Sequence, residues 1–337
     1  MVGKARFGVA AVLSVLLAGT ASAQKQTLHM AYWAGPSHQM VQAQQAWIKT
    51  IEEASGGNLT VEVDKAGLAK PEGQYDLIKN GVRDMVWAVA AYTPGRFDLL
   101  QASELPLVCP NPRVCSPVLW KWYEKNNLAA KEFTDTKLLA IFIGGPFHIH
   151  TVKPATTLEE LKGMKLRAGG SGVPPAKALG LSIVAMPATD AYEAIQRGTV
   201  EGTIFPWEAM ESFRLNEMLK AHLEIPGGIS APVFVIVGNI KAIDGLTPAN
   251  RAALMKASGE AGSALFGKAW DAADQKARDD AKARGQNIQT LAPAELERWR
   301  ALLKPVSEQW IETANKKGVD GRKLLDDLQA MIKAASS

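Results

Sequence analysis

Residues 157–213 constrain the fold most strongly, because short predicted helices and short predicted strands alternate there at close spacing. Thr157 precedes Glu160 by three residues, and this capping-box pattern predicts the start of a short helix. Residues 164–168 then alternate apolar and polar side chains, as expected of a strand. A second helix and strand follow over residues 174–187. Strands that alternate with helices in this way predict an α/β fold.

Arg167 is the strongest candidate for a ligand-binding residue. It lies at the carboxyl end of the predicted strand, and Gly169, Gly170 and Gly172 interrupt the pattern directly after it. Ligands of open α/β sheets bind at the carboxyl ends of strands. A guanidinium group stays charged and matches a carboxylate with two parallel hydrogen bonds. From the spacing alone, an ion pair with an acidic side chain on the surface is the alternative interpretation.

A helical pattern of unusual length begins near Pro248. Thr247 can cap this helix, and proline suits its first position. No further proline occurs before Gly285, so one continuous helix would have about 35 residues and a length of roughly 50 Å. A break at residues 259–262 or at Gly267 would give two helices instead.

Residues 1–23 are predicted to be a cleaved signal peptide. Lys4 and Arg6 form a short basic region, residues 7–17 are apolar, and residues 21–23 form an A-x-A cleavage site. The apolar run is too short to span a bilayer comfortably. We therefore expect a mature protein in the periplasm, with a buried N-terminal helix as the alternative.

Composition limits the possible partners and activities. The 337-residue chain has 38 basic and 34 acidic side chains and a formal net charge of +4, with no run of Lys or Arg. This mild charge gives no indication of a nucleic-acid partner. The sequence contains no G-x-S-x-G, H-E-x-x-H, P-loop or zinc-type cysteine pattern, so we expect neither an enzyme nor a bound cofactor.

Cys109 and Cys115 are the only cysteines. An even number of cysteines in an oxidising compartment favours a disulfide, which would close a small loop here. Two free thiols are the alternative, because a short loop can fail the geometry that the bond requires.

Three segments carry a resemblance to a known family. The sequence LEELKGMKLR at residues 158–167 is followed by MPATDAYEAIQRGTVEG at residues 186–202, and a proline stands four residues later. This order resembles the extracytoplasmic solute receptors of tripartite ATP-independent periplasmic (TRAP) transporters, the DctP type. The resemblance covers almost the whole mature chain. In that family, the arginine that matches Arg167 binds the carboxylate of the ligand.

The resemblance implies a two-domain periplasmic-binding-protein fold with a long helix bridging both domains. We expect domain I to comprise residues 24–145 and 233–272, and domain II to comprise residues 146–232 and 273–337. The implied function is to capture an organic carboxylate between the domains and to deliver it to the TRAP membrane permease. We expect a monomer. A ligand sensor for a signalling receptor is the alternative, and a periplasmic enzyme is a further one.

Two positions depart from the sialic-acid receptors of the family. Those receptors have a second arginine twenty residues before the first, where this chain has Phe147. They have an asparagine just before the proline that follows the GTVEG-like segment, where this chain has Phe205. Trp33, Trp87 and Trp207 are expected to face the same cleft. Apolar walls around one cationic anchor suit a monocarboxylate with a hydrophobic or aromatic body, because further polar groups of a ligand would be buried unpaired.

His148 and His150 occupy alternate positions of a predicted strand and therefore point to the same side. Such a pair can bind a metal ion, but no third ligand has suggestive spacing. We therefore predict no metal site and expect the imidazoles to form hydrogen bonds. His148 follows Phe147 directly, so it is included among the candidate ligand-binding residues.

Overall fold

The computed structural model describes residues 25–35 and 38–336. The predicted signal peptide, residues 1–23, lies outside the described residues. Among the described helices, none is both long enough and apolar enough to cross a membrane.

Eleven strands in the described residues form two sheets, and the strand order in each sheet is not the chain order. The first sheet has the order β2-β1-β3-β10-β4, and the second has the order β11-β9-β5-β8-β6-β7. In chain order the strands are β1 (Gln26–Ala31), β2 (Leu59–Val63), β3 (Met85–Val89), β4 (Lys137–Ile143), β5 (His148–Thr151), β6 (Lys165–Ala168), β7 (Ser182–Ala185), β8 (Gly202–Phe205), β9 (Ala221–Glu224), β10 (Val233–Gly238) and β11 (Asn287–Thr290).

Helices connect the strands and cover the faces of both sheets, so the predicted α/β class is confirmed. In chain order the α-helices are α1 (Met40–Ala54), α2 (Gln74–Lys79), α3 (Pro112–Lys125), α4 (Ala129–Glu132), α5 (Leu158–Lys162), α6 (Val173–Ala178), α7 (Ala191–Gln196), α8 (Glu208–Ser212), α9 (Ile240–Asp244), α10 (Pro248–Ala257), α11 (Gly259–Ala283), α12 (Pro293–Lys316) and α13 (Gly321–Ala335).

The first sheet is buried on both faces, which explains why its strands are nearly continuous apolar runs. Successive side chains of β3 point to opposite faces: Val86 and Ala88 join one hydrophobic core, whereas Met85, Trp87 and Val89 join the other. Strand β10 lies antiparallel between β3 and β4, while β1, β2 and β3 are parallel.

The second sheet presents Arg167 from one of its parallel strands. Strand β6 pairs in parallel with β7 and β8. The predicted capping box is confirmed, because the Thr157 hydroxyl accepts from the backbone of Glu160 and the Glu160 carboxylate accepts from the backbone of Thr157. Leu158 and Leu161 on α5 are fully buried in the core of this domain. Helix α5 therefore fixes the strand that carries Arg167.

The expected 35-residue helix is wrong, and the alternative of two helices is confirmed. Helix α10 ends before Ser258, whose backbone is extended, and Gly259 has a φ of +64°. The left-handed conformation of Gly259 breaks the hydrogen-bond ladder and starts α11, which has 25 residues. Helix α11 still bridges the two domains: Phe266 and Trp270 lie in a core of the first sheet, and Ala277 lies in a core of the second.

The C-terminal segment differs from the predicted domain assignment. Residues 273–337 were expected to belong to domain II. Helix α12 leaves the second domain, where Trp299 is buried, and reaches the first domain with Trp310. Helix α13 packs on α3 in the first domain, where the Trp122 indole donates to the Leu324 carbonyl at 3.0 Å. The amphipathic pattern of α13 predicted a buried face, but the sequence did not indicate that this face packs on α3.

Candidate ligand-binding cavity

A cavity lies between the two domains and contains the end of strand β6. Aromatic side chains form most of its wall, and few charged or polar groups interrupt them. Its lining includes Trp33, His38, Trp87, Tyr92, Phe147, Arg167, Ala188, Phe205, Glu208, Phe213, Phe234 and Trp270. Five of the seven residues predicted to bind ligand therefore line one cavity: Trp33, Trp87, Phe147, Arg167 and Phe205.

Arg167 is fixed at the carboxyl end of β6. Its Nε and Nη2 atoms donate to the carbonyl oxygen of Met186 at 3.1 and 2.9 Å. The guanidinium carbon lies 4.0 Å from the centre of the Phe205 ring, in a cation–π contact. A Cβ atom at Gly169 would clash with Nη2, so the glycine after the strand makes room for the guanidinium.

The charge of Arg167 has no acidic partner within hydrogen-bond distance in the described part of the chain. The side chain is only 1% exposed, and the described ion pairs do not include it. Burial lowers the pKa of Arg167, while the Tyr92 hydroxyl and Asp190 act in the opposite direction. Since a guanidinium stays protonated in proteins, a buried cation faces the cavity, and an anion would compensate it.

Tyr92 joins the domains beside Arg167. It follows strand β3 of the first domain, and its hydroxyl accepts from the backbone N–H of Ala188 in the second domain at 3.0 Å. Gly170, with a φ of +51°, approaches the same segment, and a Cβ atom there would lie 3.0 Å from the Cβ of Ala91. The two domains therefore meet closely at the Arg167 end of the cavity.

Rings from both domains form the wall. Trp33 stacks on Trp87 with ring centres 4.5 Å apart, and its indole donates to the Trp87 carbonyl at 3.1 Å. Phe205 and Phe213 are parallel at 5.6 Å. Trp270 stacks on Phe234 at 4.4 Å. Such a wall buries apolar surface of a ligand and gives it few hydrogen bonds.

Glu208 and His38 add polar groups at another part of the lining. The Glu208 side chain accepts from the Ser212 hydroxyl at 2.7 Å, and its backbone N–H donates to Asp274 at 2.7 Å. Burial raises the pKa of Glu208 to about 7. Burial lowers the pKa of His38 to about 3, so this imidazole is neutral. Its Nδ1 accepts from the Met40 N–H at 3.1 Å, which leaves the proton on Nε2.

His148 and Trp207 do not line the cavity, which corrects two of the predicted contacts. His148 begins β5 directly after Phe147, and only Phe147 lines the cavity. The His148 Nδ1 accepts from the Ile225 N–H at 3.1 Å. The Trp207 indole donates to Glu224 at 3.1 Å and its ring packs against His150 at 4.9 Å. Both side chains stabilise the interior of the second domain.

The histidines of the second domain form hydrogen bonds. His150 Nδ1 lies 2.8 Å from His222 Nδ1, and His222 Nε2 lies 2.9 Å from the Gln286 side chain. Burial lowers the pKa of His150 and of His148. Among the described residues, no group of three or more His, Cys, Asp or Glu side chains is arranged to hold a metal ion.

The structure joins Cys109 and Cys115 in a disulfide next to the start of α3. Asn111, between the two cysteines, caps this helix by accepting from the Val114 N–H at 3.0 Å. Both cysteines are buried in a core of the first domain and lie outside the cavity lining.

Several lining residues were not predicted from the sequence. Tyr92 could have been found by the rule that identified Arg167, since it follows the carboxyl end of a buried strand. Glu208 lies two residues after Pro206 and had no distinguishing signal. His38, Phe213 and Trp270 reach the cavity from α1, α8 and α11 or their ends, which only tertiary packing brings together.

Comparison with known proteins gives consistent matches over nearly the whole chain. The model of the family "bacterial extracellular solute-binding protein, family 7" (DctP) matches residues 30–313. A TRAP periplasmic solute-binding protein of Bordetella bronchiseptica, solved with (R)- and (S)-mandelate, is 30% identical with a TM-score of 0.87, covering 92% of this chain and 99% of that one.

Two other solved structures are similar to the same extent. A TRAP solute-binding protein of Rhodoferax ferrireducens, in complex with copurified benzoate, is 29% identical with a TM-score of 0.86, covering 93% of this chain and 99% of that one. A marine metagenome TRAP solute-binding protein, described as specific for aromatic acid ligands, was crystallised with 3-hydroxybenzoate. It is 30% identical with a TM-score of 0.87, covering 93% of this chain and 100% of that one.

Proposed function

The chain belongs to family 7 of the bacterial extracellular solute-binding proteins, the DctP family of TRAP solute receptors, and we propose that its ligand is a monocarboxylate with an aromatic or apolar body. The ligand lies between the two domains. Arg167 binds its carboxylate, and the rings of the cavity wall cover the remainder of the molecule.

The observation that carries this proposal is the environment of Arg167. A guanidinium that is 1% exposed and has no acidic partner in a described ion pair requires compensation by an anion. Its Nε and Nη2 atoms are held by Met186, which fixes the plane of the guanidinium before a ligand arrives. A pre-oriented fork of donors suits a planar carboxylate.

The walls support an aromatic or apolar ligand body over a polar one. Phe147 and Phe205 line the cavity at the positions that distinguish this chain from the sialic-acid receptors. A ligand with many hydroxyl or carboxylate groups would bury them against these rings without partners, at about 1–3 kcal/mol for each group. The similar proteins from Bordetella and Rhodoferax contain mandelate and benzoate, which have one carboxylate and one ring.

Transport follows from the position of the ligand between the domains. Tyr92 and Ala188 form a hydrogen bond between the two domains next to Arg167, so a ligand at Arg167 stabilises the closed arrangement. The closed form presents a surface from both domains to a TRAP membrane permease, to which a monomeric receptor delivers the ligand. The predicted signal peptide, residues 1–23, would direct the chain to the periplasm.

A ligand screen tests the proposal. Thermal unfolding of the purified mature protein is measured with benzoate, mandelate and phenylacetate, and in parallel with succinate, malate and a sialic acid. A ligand that binds only the folded protein adds about 2.7 kcal/mol to the free energy of unfolding at a hundredfold excess over its Kd. We expect stabilisation by the aromatic monocarboxylates. Stronger stabilisation by a dicarboxylate or by a sialic acid would contradict the proposal.

A further inference from the structure

The cavity has a second polar region in addition to Arg167. We call it the Glu208 end and define it by His38, Trp87, Glu208 and Trp270. A row of rings separates it from Arg167: the guanidinium lies on Phe205, Phe205 stacks on Phe213 at 5.6 Å, and Phe213 contacts His38 at 5.3 Å. A ligand whose carboxylate binds Arg167 would extend along this row towards the Glu208 end.

Two buried donors at the Glu208 end complete no well-aligned hydrogen bond within the described residues. Trp87 and Trp270 are each 1% exposed, and their indole N–H groups have no hydrogen-bond partner among the described residues. The Trp270 N–H is close enough to Glu208 to lower that carboxyl's pKa, but it completes no well-aligned hydrogen bond. Buried donors of this kind are uncommon and cost stability, because they have lost their water. An acceptor on the ligand would satisfy them.

Glu208 supplies a hydrogen-bond acceptor beside these indole donors. Its side chain is 4% exposed, accepts a hydrogen bond from the Ser212 hydroxyl, and lies beside the Trp270 N–H. No Lys or Arg forms an ion pair with it in the described part of the chain, and the neighbouring His38 is neutral. The nearby Asp274 is a carboxyl group whose pKa is also raised by burial. The carboxyl therefore retains capacity to accept from a donor on the ligand.

We propose that the Glu208 end binds a hydroxyl group on the ligand, so that this receptor selects a ring-hydroxylated aromatic monocarboxylate over the unsubstituted acid. The proposal rests on the proposed function, because it requires the carboxylate at Arg167. A hydroxyl group donates to the Glu208 carboxyl and accepts from an indole N–H at the same time. An aromatic amino group donates but is a poor acceptor because its lone pair is delocalised into the ring, and a second carboxylate would be repelled by Glu208 when that side chain is ionised.

Calorimetry on the mature protein at pH 7.5 tests the preference. The ligands are benzoate, its 2-, 3- and 4-hydroxy derivatives, 3-aminobenzoate and isophthalate. We expect at least one hydroxybenzoate to bind about tenfold to a hundredfold more tightly than benzoate, the range typical of a hydrogen bond with a charged group. If no hydroxybenzoate binds more tightly than benzoate, or if aminobenzoate or isophthalate binds most tightly, the proposal is overturned.

Matched variants locate the effect. Trp270→Phe and Trp87→Phe each remove one N–H while keeping an aromatic ring. We expect at least one of them to reduce the ratio of the benzoate Kd to the hydroxybenzoate Kd about tenfold. Glu208→Gln should reduce the same ratio and weaken the rejection of isophthalate. Trp310→Phe is the control, because Trp310 is a buried tryptophan outside the cavity lining and its N–H bonds to the Asp98 carbonyl at 2.7 Å. It should leave the ratio unchanged.

The two proposals fail in distinguishable ways. If benzoate binds and Arg167→Ala abolishes its binding, while Trp270→Phe, Trp87→Phe and Glu208→Gln change all Kd values by the same factor, only the hydroxyl site is refuted. If no aromatic carboxylate binds to the folded wild-type protein, the proposed function itself is refuted. Mandelate and phenylacetate provide an internal check, since the mandelate hydroxyl lies beside the carboxylate and should not respond to Trp270→Phe.

Discussion

Replacement of Arg167 by alanine should remove most of the affinity for benzoate. The guanidinium is 1% exposed, so the variant would leave the ligand carboxylate buried without its partner. Truncating one member of a buried, hydrogen-bonded charge pair costs about 2–5 kcal/mol, which corresponds to a rise in Kd of about thirtyfold to several thousandfold. We expect the upper part of this range, because no described ion pair supplies a replacement cation in the cavity.

Calorimetry with benzoate measures the effect, and circular dichroism must show that the variant is folded. Arg167→Lys should weaken binding at least tenfold, since one ammonium cannot reproduce the fork. The control is Arg197→Ala, whose side chain is 73% exposed and pairs with Glu193 on the surface. A folded Arg167→Ala protein with near wild-type affinity would refute the reasoning.

Three further predictions concern pH, covalent stabilisation and domain motion. Burial raises the pKa of Glu104 from 4.5 to about 8. The folded chain therefore binds the Glu104 proton more tightly than the unfolded chain does. As pH rises from 4.5 to about 8, the free energy of unfolding falls by up to ~1.4 kcal/mol per pH unit. Denaturant titrations should show Glu104→Gln gaining stability relative to the wild type between pH 5 and pH 8, and a parallel pH profile would contradict this. Replacing Cys109 and Cys115 together by alanine should cost about 2 kcal/mol of unfolding free energy without changing benzoate affinity, since the disulfide lies outside the cavity lining; a large loss of affinity would show that the loop shapes the site. Small-angle scattering should show a smaller radius of gyration with saturating ligand, and Tyr92→Phe should weaken this closure because it removes the acceptor of the Ala188 N–H; an unchanged radius, with the free protein shown to be open, would indicate a rigid cavity.

The sequence determined the local features of this protein. Capping at Thr157 and Thr247 appears in the structure as predicted, because a side-chain oxygen bonds to backbone only a few residues away. The alternation of residues 164–168 predicted a strand with Arg167 near its carboxyl end, because successive side chains of a strand point to opposite faces. The break at Gly259 was an open alternative in the sequence, because one glycine can either continue a helix or leave it.

Only the tertiary structure decided which side chains share the cavity. His38, Glu208 and Trp270 are far apart in the chain, and their meeting depends on how α11 crosses from one domain to the other. The same dependence explains why the predicted cavity position of Trp207 was wrong. Its indole donates to Glu224 inside the second domain. Local hydrogen bonds and alternation act over a few residues and can be recognised in the sequence. The composition of a cavity between domains depends on packing between distant segments, for which the sequence contains no local signal.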